Sequence, residues 1–127
     1  MSDYFTLYKT ILSTIQKATP ETGQQLFDAL SHDDYITHEK SSNPNLVQET
    51  LAVLDNLIAD GLVNAKQTST KNIPLYSIYG LSTSGQKFLD KMKKPSFDET
   101  LKNYLKENGL PLSPQSISKF VAQLTFR

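Results

Sequence analysis

The amino-acid sequence predicts a mainly α protein with one small β-hairpin, an α+β fold. Two apolar stripes of helical period in the first half of the chain predict the helices, and two Val-, Ile- and Tyr-rich runs separated by polar residues predict the hairpin. A third sign is the stretch "LYSIYGLSTSGQKFLDKMKK", residues 75–94, where strand composition passes directly into an amphipathic helix. With 127 residues there is room for one ordinary domain and little more. The chain divides into residues 1–94, which hold all of these features, and a C-terminal helical extension, residues 95–127.

On a helical wheel, Tyr4, Phe5, Leu7, Tyr8, Ile11, Leu12 and Ile15 fall within one arc of roughly 160°, which predicts a first helix. "ATPETG" ends it, and "QQLFDALSH" forms a short second helix whose Leu26, Phe27 and Leu30 turn to the core. "DDYITHEKSSNPN" reads as a strand or loop closing on the turn residues Asn43 and Pro44. A third helix opens there, with Leu46, Val47, Thr50, Leu51, Val53, Leu54, Leu57 and Ile58 on one side, and Gly61 supplies a left-handed C-terminal cap. "LVNAKQ" and "IPLYSIYG" are the strands, with the residues from Gln67 to Asn72 as the turn. Ser82 or Thr83 caps a fourth helix that returns Phe88, Leu89 and Met92 to the core, and Gly85 in its first turn allows a close approach to a neighbour. Beyond Pro95, Ser96 and Glu99 match a capping box for a helix ending at Gly109. Ser113 and Pro114 then open a last helix with Ile117, Phe120, Val121 and Leu124 on one side.

Composition excludes several classes. There is no cysteine, hence no disulfide, thiolate metal site or cysteine nucleophile, and nothing calls for an oxidising compartment. The polar N-terminus does not read as a signal peptide and no segment is apolar enough to span a bilayer, so a cytoplasmic protein with no membrane contact is expected. Net charge is zero, but unevenly laid out. Residues 1–64 hold three lysines against nine acidic residues, a balance of −6; residues 65–127 hold nine lysines and Arg127 against four, a balance of +6. Such polarity provides a basic surface for an acidic partner, or two faces that attract each other.

The order of helices followed by a hairpin and a further helix is that of the winged form of helix-turn-helix. "IADGLVNAKQTSTKNIPLYSIYGLSTSGQKFLDKM" resembles the part of winged-helix regulators in which the recognition helix ends in Gly-Leu-(Ile/Val), a hairpin follows, and Leu-(Ser/Thr)-x-x-Gly starts the next helix. Within that group the chain is similar to the small YjcQ-like, phage-derived winged-helix proteins, over residues 3–94. The resemblance implies a phage-related transcriptional regulator that binds double-stranded DNA, with its third helix in the major groove and its wing near the backbone. The implied DNA contacts are Asn45, Gln48, Ala52 and Asn56 on that helix, and Lys66, Gln67, Thr68, Ser69, Thr70 and Lys71 in the wing. Amides can read adenine edges. The same helix, however, carries Glu49, Asp55 and Asp60 and no cation, which opposes phosphate.

Lys87, Lys91 and Lys94 lie at i, i+4 and i+7 on the fourth helix and form a basic stripe, open to phosphate, to an acidic protein surface, or simply to water. His32, Asp33, Asp34, His38 and Glu39 are metal-capable types, but a spacing of six between the histidines suits neither a helical face nor an extended segment, so no metal and no cofactor are expected. Gly-rich phosphate loops, Gly-x-Ser-x-Gly and His-Glu-x-x-His are missing, and no enzyme is expected. The rival to DNA binding is a non-catalytic winged-helix protein-interaction module, and a homodimer through the first and C-terminal helices is compatible with either. A basic strip joining wing and third helix would favour DNA; an acidic third-helix face with a separate apolar patch would favour protein.

Overall fold

In the computed structural model, which describes residues 4–70, 73–111, 116, 119, 120 and 123, the elements are α1 (Tyr4–Ala18), α2 (Gly23–Leu30), α3 (Asp34–Lys40), α4 (Leu46–Ala59), β1 (Val63–Thr70), β2 (Ile73–Leu81), α5 (Thr83–Met92) and α6 (Phe97–Glu107). The fold is α+β, helical apart from one antiparallel strand pair. The third and fourth helices expected from sequence are thus α4 and α5, because one helix more than expected precedes them.

That extra helix is α3, where a strand or loop is expected. Asp33, in extended conformation, points its carboxylate back over the first turn: Oδ1 accepts from the N–H of Tyr35 at 2.9 Å and of Ile36 at 3.3 Å. The cap satisfies donors that a seven-residue helix would otherwise leave bare, and burial of Ile36 pins the helix to the core. Capping also sets α2. Thr22 Oγ1 accepts from Gln25 N–H at 3.1 Å while Gln25 Oε1 accepts from Glu21 N–H at 2.8 Å. The end of α2 is closed by backbone bonds, Ser31 N–H to Phe27 O and His32 N–H to Ala29 O.

β1 and β2 pair with Ala65 opposite Ile78, Lys66 opposite Ser77, Gln67 opposite Tyr76 and Thr68 opposite Leu75. Strand pairing continues to Thr70 and Ile73, so Thr68, Ser69 and Thr70 are strand residues rather than turn; Lys71 and Asn72 lie outside the described residues. Threonines suit a pleated, half-exposed ladder, which is why the strand outruns the polar turn that composition suggests. The register shifts between Asn64 and Ala65, where Asn64 pairs with Gly80 and Ala65 with Ile78, and Gly80 takes φ +121 there. On the far edge of β2, Thr22 makes a single bridge to Ser77 and Ile78 N–H donates to Glu21 O at 2.9 Å.

α1 is the centre of the fold, packed on α2, α4, α5 and β2. Its stripe is buried: Leu7, Tyr8, Ile11, Leu12 and Ile15 are at most 1 % exposed. α4 buries Leu46, Thr50, Val53, Leu54 and Leu57 on the predicted side, but Val47, counted in that stripe, is 60 % exposed, at the stripe's edge. Gly61, at φ +77, ends α4 as expected. Ser82 caps α5, its Oγ accepting from Gly85 N–H at 2.9 Å. Gly85 is pressed onto the start of β1: a Cβ there would lie 2.0 Å from the Leu62 carbonyl oxygen.

The Ser96–Glu99 capping box does not form. Ser96 is itself helical (φ −78, ψ −6) with no side-chain cap bond, because tight turns carry the chain straight from α5 into α6, with Lys94 N–H on Lys91 O and Phe97 N–H on Lys94 O, both at 3.1 Å. Gly109, φ +61, does close α6. Phe97 is buried among aromatic rings, stacked on Phe5 (centroids 5.4 Å apart) and edge-on to Phe88 and Phe120 (both 5.6 Å), so one core runs across Pro95. Of the last predicted helix, Ser116, Lys119, Phe120 and Gln123 are helical and Phe120 is buried; Ser113, Pro114, Ile117, Val121 and Leu124 lie outside the described residues. Thr19, just past α1, has φ 45, a left-handed conformation that a β-branched residue rarely adopts. Among the described residues no helix is long and apolar enough to cross a membrane.

Candidate binding surface

The candidate surface begins at the turn before α4. Asn43 is buried and fully used: its Oδ1 accepts from Asn45 N–H at 3.0 Å, and its Nδ2 donates to Glu49 at 3.0 Å and, more weakly, to Glu39 at 3.5 Å. One side chain therefore joins the end of α3 to the first turn of α4 and fixes the direction in which α4 sets out. From there positions 45, 48, 52 and 56 recur at helical spacing along one side. Asn45, Gln48 and Ala52 are exposed and Asn56 is half-buried.

The hairpin is held against this helix by Tyr76. Its ring lies under the hairpin, 6 % exposed, and its hydroxyl donates to Asp55 Oδ1 at 2.6 Å. Burial first, then the bond to Asp55 and the charge of that carboxylate, hold the Tyr76 phenol well above its ordinary pKa. The same ring fills the space over Gly23, where a Cβ would meet Tyr76 Cδ2 at 3.2 Å. Tyr76 thus gathers α2, α4 and β2 at one point. Gln67 is its cross-strand partner, so the strand segment of Gln67 is joined to α4 through Tyr76 and Asp55.

Across the hairpin, side chains alternate. Gln67 and Tyr76 share the inner face; Lys66 with Ser77, and Thr68 with Leu75, share the outer one. The outer row of β2 leaves Leu75 51 % and Tyr79 72 % exposed, beside the register shift. Ser69 and Thr70 continue β1 opposite Pro74 and Ile73, and Lys71 lies outside the described residues.

The charges on α4 are anchored rather than loose. Glu49 accepts from Asn43, Asp55 from Tyr76, and Asp60 from Tyr8 Oη at 3.3 Å. These bonds give the acids a structural role: each ties α4 or its C-terminal end to a neighbouring part of the chain. They leave the negative charge in place. Lys87, Lys91 and Lys94 are all exposed, on a helix that packs on α1, α6 and β2, and Lys93 Nζ reaches Gln16 Oε1 of α1 at 3.4 Å. No cation stands on α4 itself to join them to the amides.

Sequence reasoning missed Asn43 and Tyr76 as organisers of this surface. The strand alternation that buries Tyr76 and Ile78 while exposing Leu75 and Tyr79 is a readable signal for the second. Asn43 in "SSNPN" is readable as turn chemistry, but not as a three-way clamp. Among the described residues no group of three or more His, Asp or Glu side chains is placed to hold a metal ion. Comparison with protein-family models, curated proteins and solved structures found no match to this chain.

Proposed function

We propose that the chain is a non-catalytic winged-helix module that engages another protein through the outward side of α4 and the hairpin beside it. A winged-helix arrangement is supported by the strand order, in which β2 lies between β1 and the bridging Thr22 just ahead of α2, and by a hairpin that follows α4 directly. The observation that carries the protein reading is the surface of α4. It bears three hydrogen-bonded carboxylates and no cation, and the hairpin that follows exposes Leu75 and Tyr79 on its outer face. Phosphate binding depends on cations that release counterions, whereas exposed aromatic and aliphatic side chains are what protein interfaces bury.

A photo-crosslinking amino acid at Ala52, exposed on that side, tests the reading in cells. A discrete adduct that protease removes and nuclease does not is expected, and Tyr79→Arg should weaken it. An adduct removed by nuclease would refute the proposal and support the second reading, double-stranded DNA. One observation favours that second reading: the bond from Tyr76 to Asp55 ties the hairpin to α4, as a wing is tied to a reading helix. DNA binding would show as affinity falling with salt at a log–log slope of about −0.9 per neutralised phosphate, flattened by removing Lys66 and Lys71 together. Gln48→Ala would then alter base preference while leaving the slope unchanged.

A further inference from the structure

Away from the Tyr76 junction, α2, α3 and the first turns of α4 enclose a groove of about 380 Å³. Its walls are Phe27 and Leu30 of α2, Ile36 of α3, and Leu46 and Val47 of α4. The volume falls in the lower part of the range typical of small-molecule sites, roughly 300–1,000 Å³. Val47 explains why it stays open: that side chain belongs to the apolar stripe of α4 yet is 60 % exposed at the rim.

The side-chain hydroxyl and amide donors around the groove are used within the protein. Ser31 Oγ donates to Asp28 O, Thr37 Oγ1 to Asp33 O at 2.8 Å, and Thr50 Oγ1 to Leu46 O at 2.7 Å. Asn43 is spent on Asn45, Glu49 and Glu39. Lys40, on the last turn of α3, is the exception: its ammonium has no hydrogen-bond or ion-pair partner among the described residues. The lining therefore offers an occupant an apolar bed and one unspent positive charge. With the hydroxyl donors spent, Lys40 is the charged donor that an anion would meet, and a cation would be repelled by it.

We infer that this groove binds a small apolar molecule carrying a single carboxylate, the apolar body lying between Phe27, Ile36 and Val47 and the carboxylate meeting Lys40 at the rim. The pairing is charge-assisted but partly solvated, so the anion contributes selectivity while burial of the apolar body contributes most of the affinity. An occupant touches α3 and the first turn of α4 together. It would brace the same joint that Asn43, itself in the groove lining, clamps.

The test uses the full chain and two probes, 2-naphthoate and its neutral amide, with binding followed by methyl and amide chemical shifts in NMR titrations. Expected are saturable shifts centred on Leu30, Ile36 and Val47 at millimolar ligand or below, with naphthoate bound up to about fivefold more tightly than the amide. Lys40→Met keeps the aliphatic stem and should erase that preference without lowering amide affinity. Val47→Trp, at an exposed position, should fill the groove and abolish binding of both probes while the spectrum stays well dispersed. No saturable shifts, shifts centred elsewhere, or a naphthoate preference that survives Lys40→Met would each overturn the inference.

Discussion

Gly85→Ala is the smallest change that asks whether α5 is seated as tightly as its contacts indicate. The added methyl would lie 2.0 Å from the Leu62 carbonyl oxygen and 2.9 Å from its carbon, against a floor near 3.0 Å for real Cβ contacts. The obstacle is backbone, with no flexible tip to swing aside, so α5 must retreat by about 1 Å. Retreat strains the bond from Ser82 N–H to the same Leu62 oxygen, now 3.0 Å, and the bond from Ser82 Oγ–H to the Gly61 carbonyl. Losing two such bonds costs roughly 1 kcal/mol each, and loosening the seats of Phe88 and Leu89 adds about 1 to 3 kcal/mol of packing strain. Alanine's better helix propensity returns about 0.5 to 1 kcal/mol. The net loss is about 2 to 4.5 kcal/mol. Urea denaturation followed by circular dichroism should show a midpoint lowered by roughly 1 to 3 M. Ser84→Ala in the same turn should stay within about 0.5 kcal/mol of wild type. A midpoint for Gly85→Ala equal to or above wild type would refute the seating of α5 on Leu62.

Four further outcomes follow from the contacts. Because the folded state holds the Tyr76 proton more tightly than the unfolded chain does, stability conferred by this group is complete below pH about 10 and declines as pH rises above it; Tyr76→Phe should remove that share of the alkaline decline, measured as the difference in midpoints between pH 8 and pH 11. Asn43→Ala should cost about 2 to 3 kcal/mol in the same assay, since it removes bonds to a backbone donor and to carboxylates. Phe97→Ala should cost about 3 to 5 kcal/mol, by emptying the space between Phe5, Phe88 and Phe120. Thr19→Gly should stabilise by up to about 1 kcal/mol, because glycine adopts φ 45 without the penalty threonine bears there; a loss of stability would show that the Thr19 side chain holds something in place.

What could be read from sequence was periodic and local. The stripes of α1 and α4, the Gly61 and Gly109 caps, the Ser82 cap and the closeness of Gly85 all follow from spacing or from one residue's conformational freedom. α3 escaped because seven residues with a single buried side chain, Ile36, carry too little period to outweigh the appearance of a loop. At Ser96 the motif was present without the geometry, since a capping box needs an extended residue and the chain arrives there already helical. The candidate surface was half legible. Exposure of Asn45, Gln48 and Ala52 follows from the wheel, but the bond between Tyr76 and Asp55 spans 21 residues, and no local pattern announces a pairing that the hairpin creates by folding back. The same holds for the groove, whose walls come from three helices, one of them unforeseen.

The stacked pair of Phe5 and Phe97 bears on the order in which the chain is made. Phe5 leaves the ribosome ahead of α2 to α5, while the ring that covers it is synthesised only after α5 is complete. Until then the N-terminal helix can find α2 and α4 but leaves an aromatic face bare. A nascent chain stalled at residue 94 should accordingly remain bound by chaperones that recognise exposed aromatic surface, and release should coincide with emergence of α6.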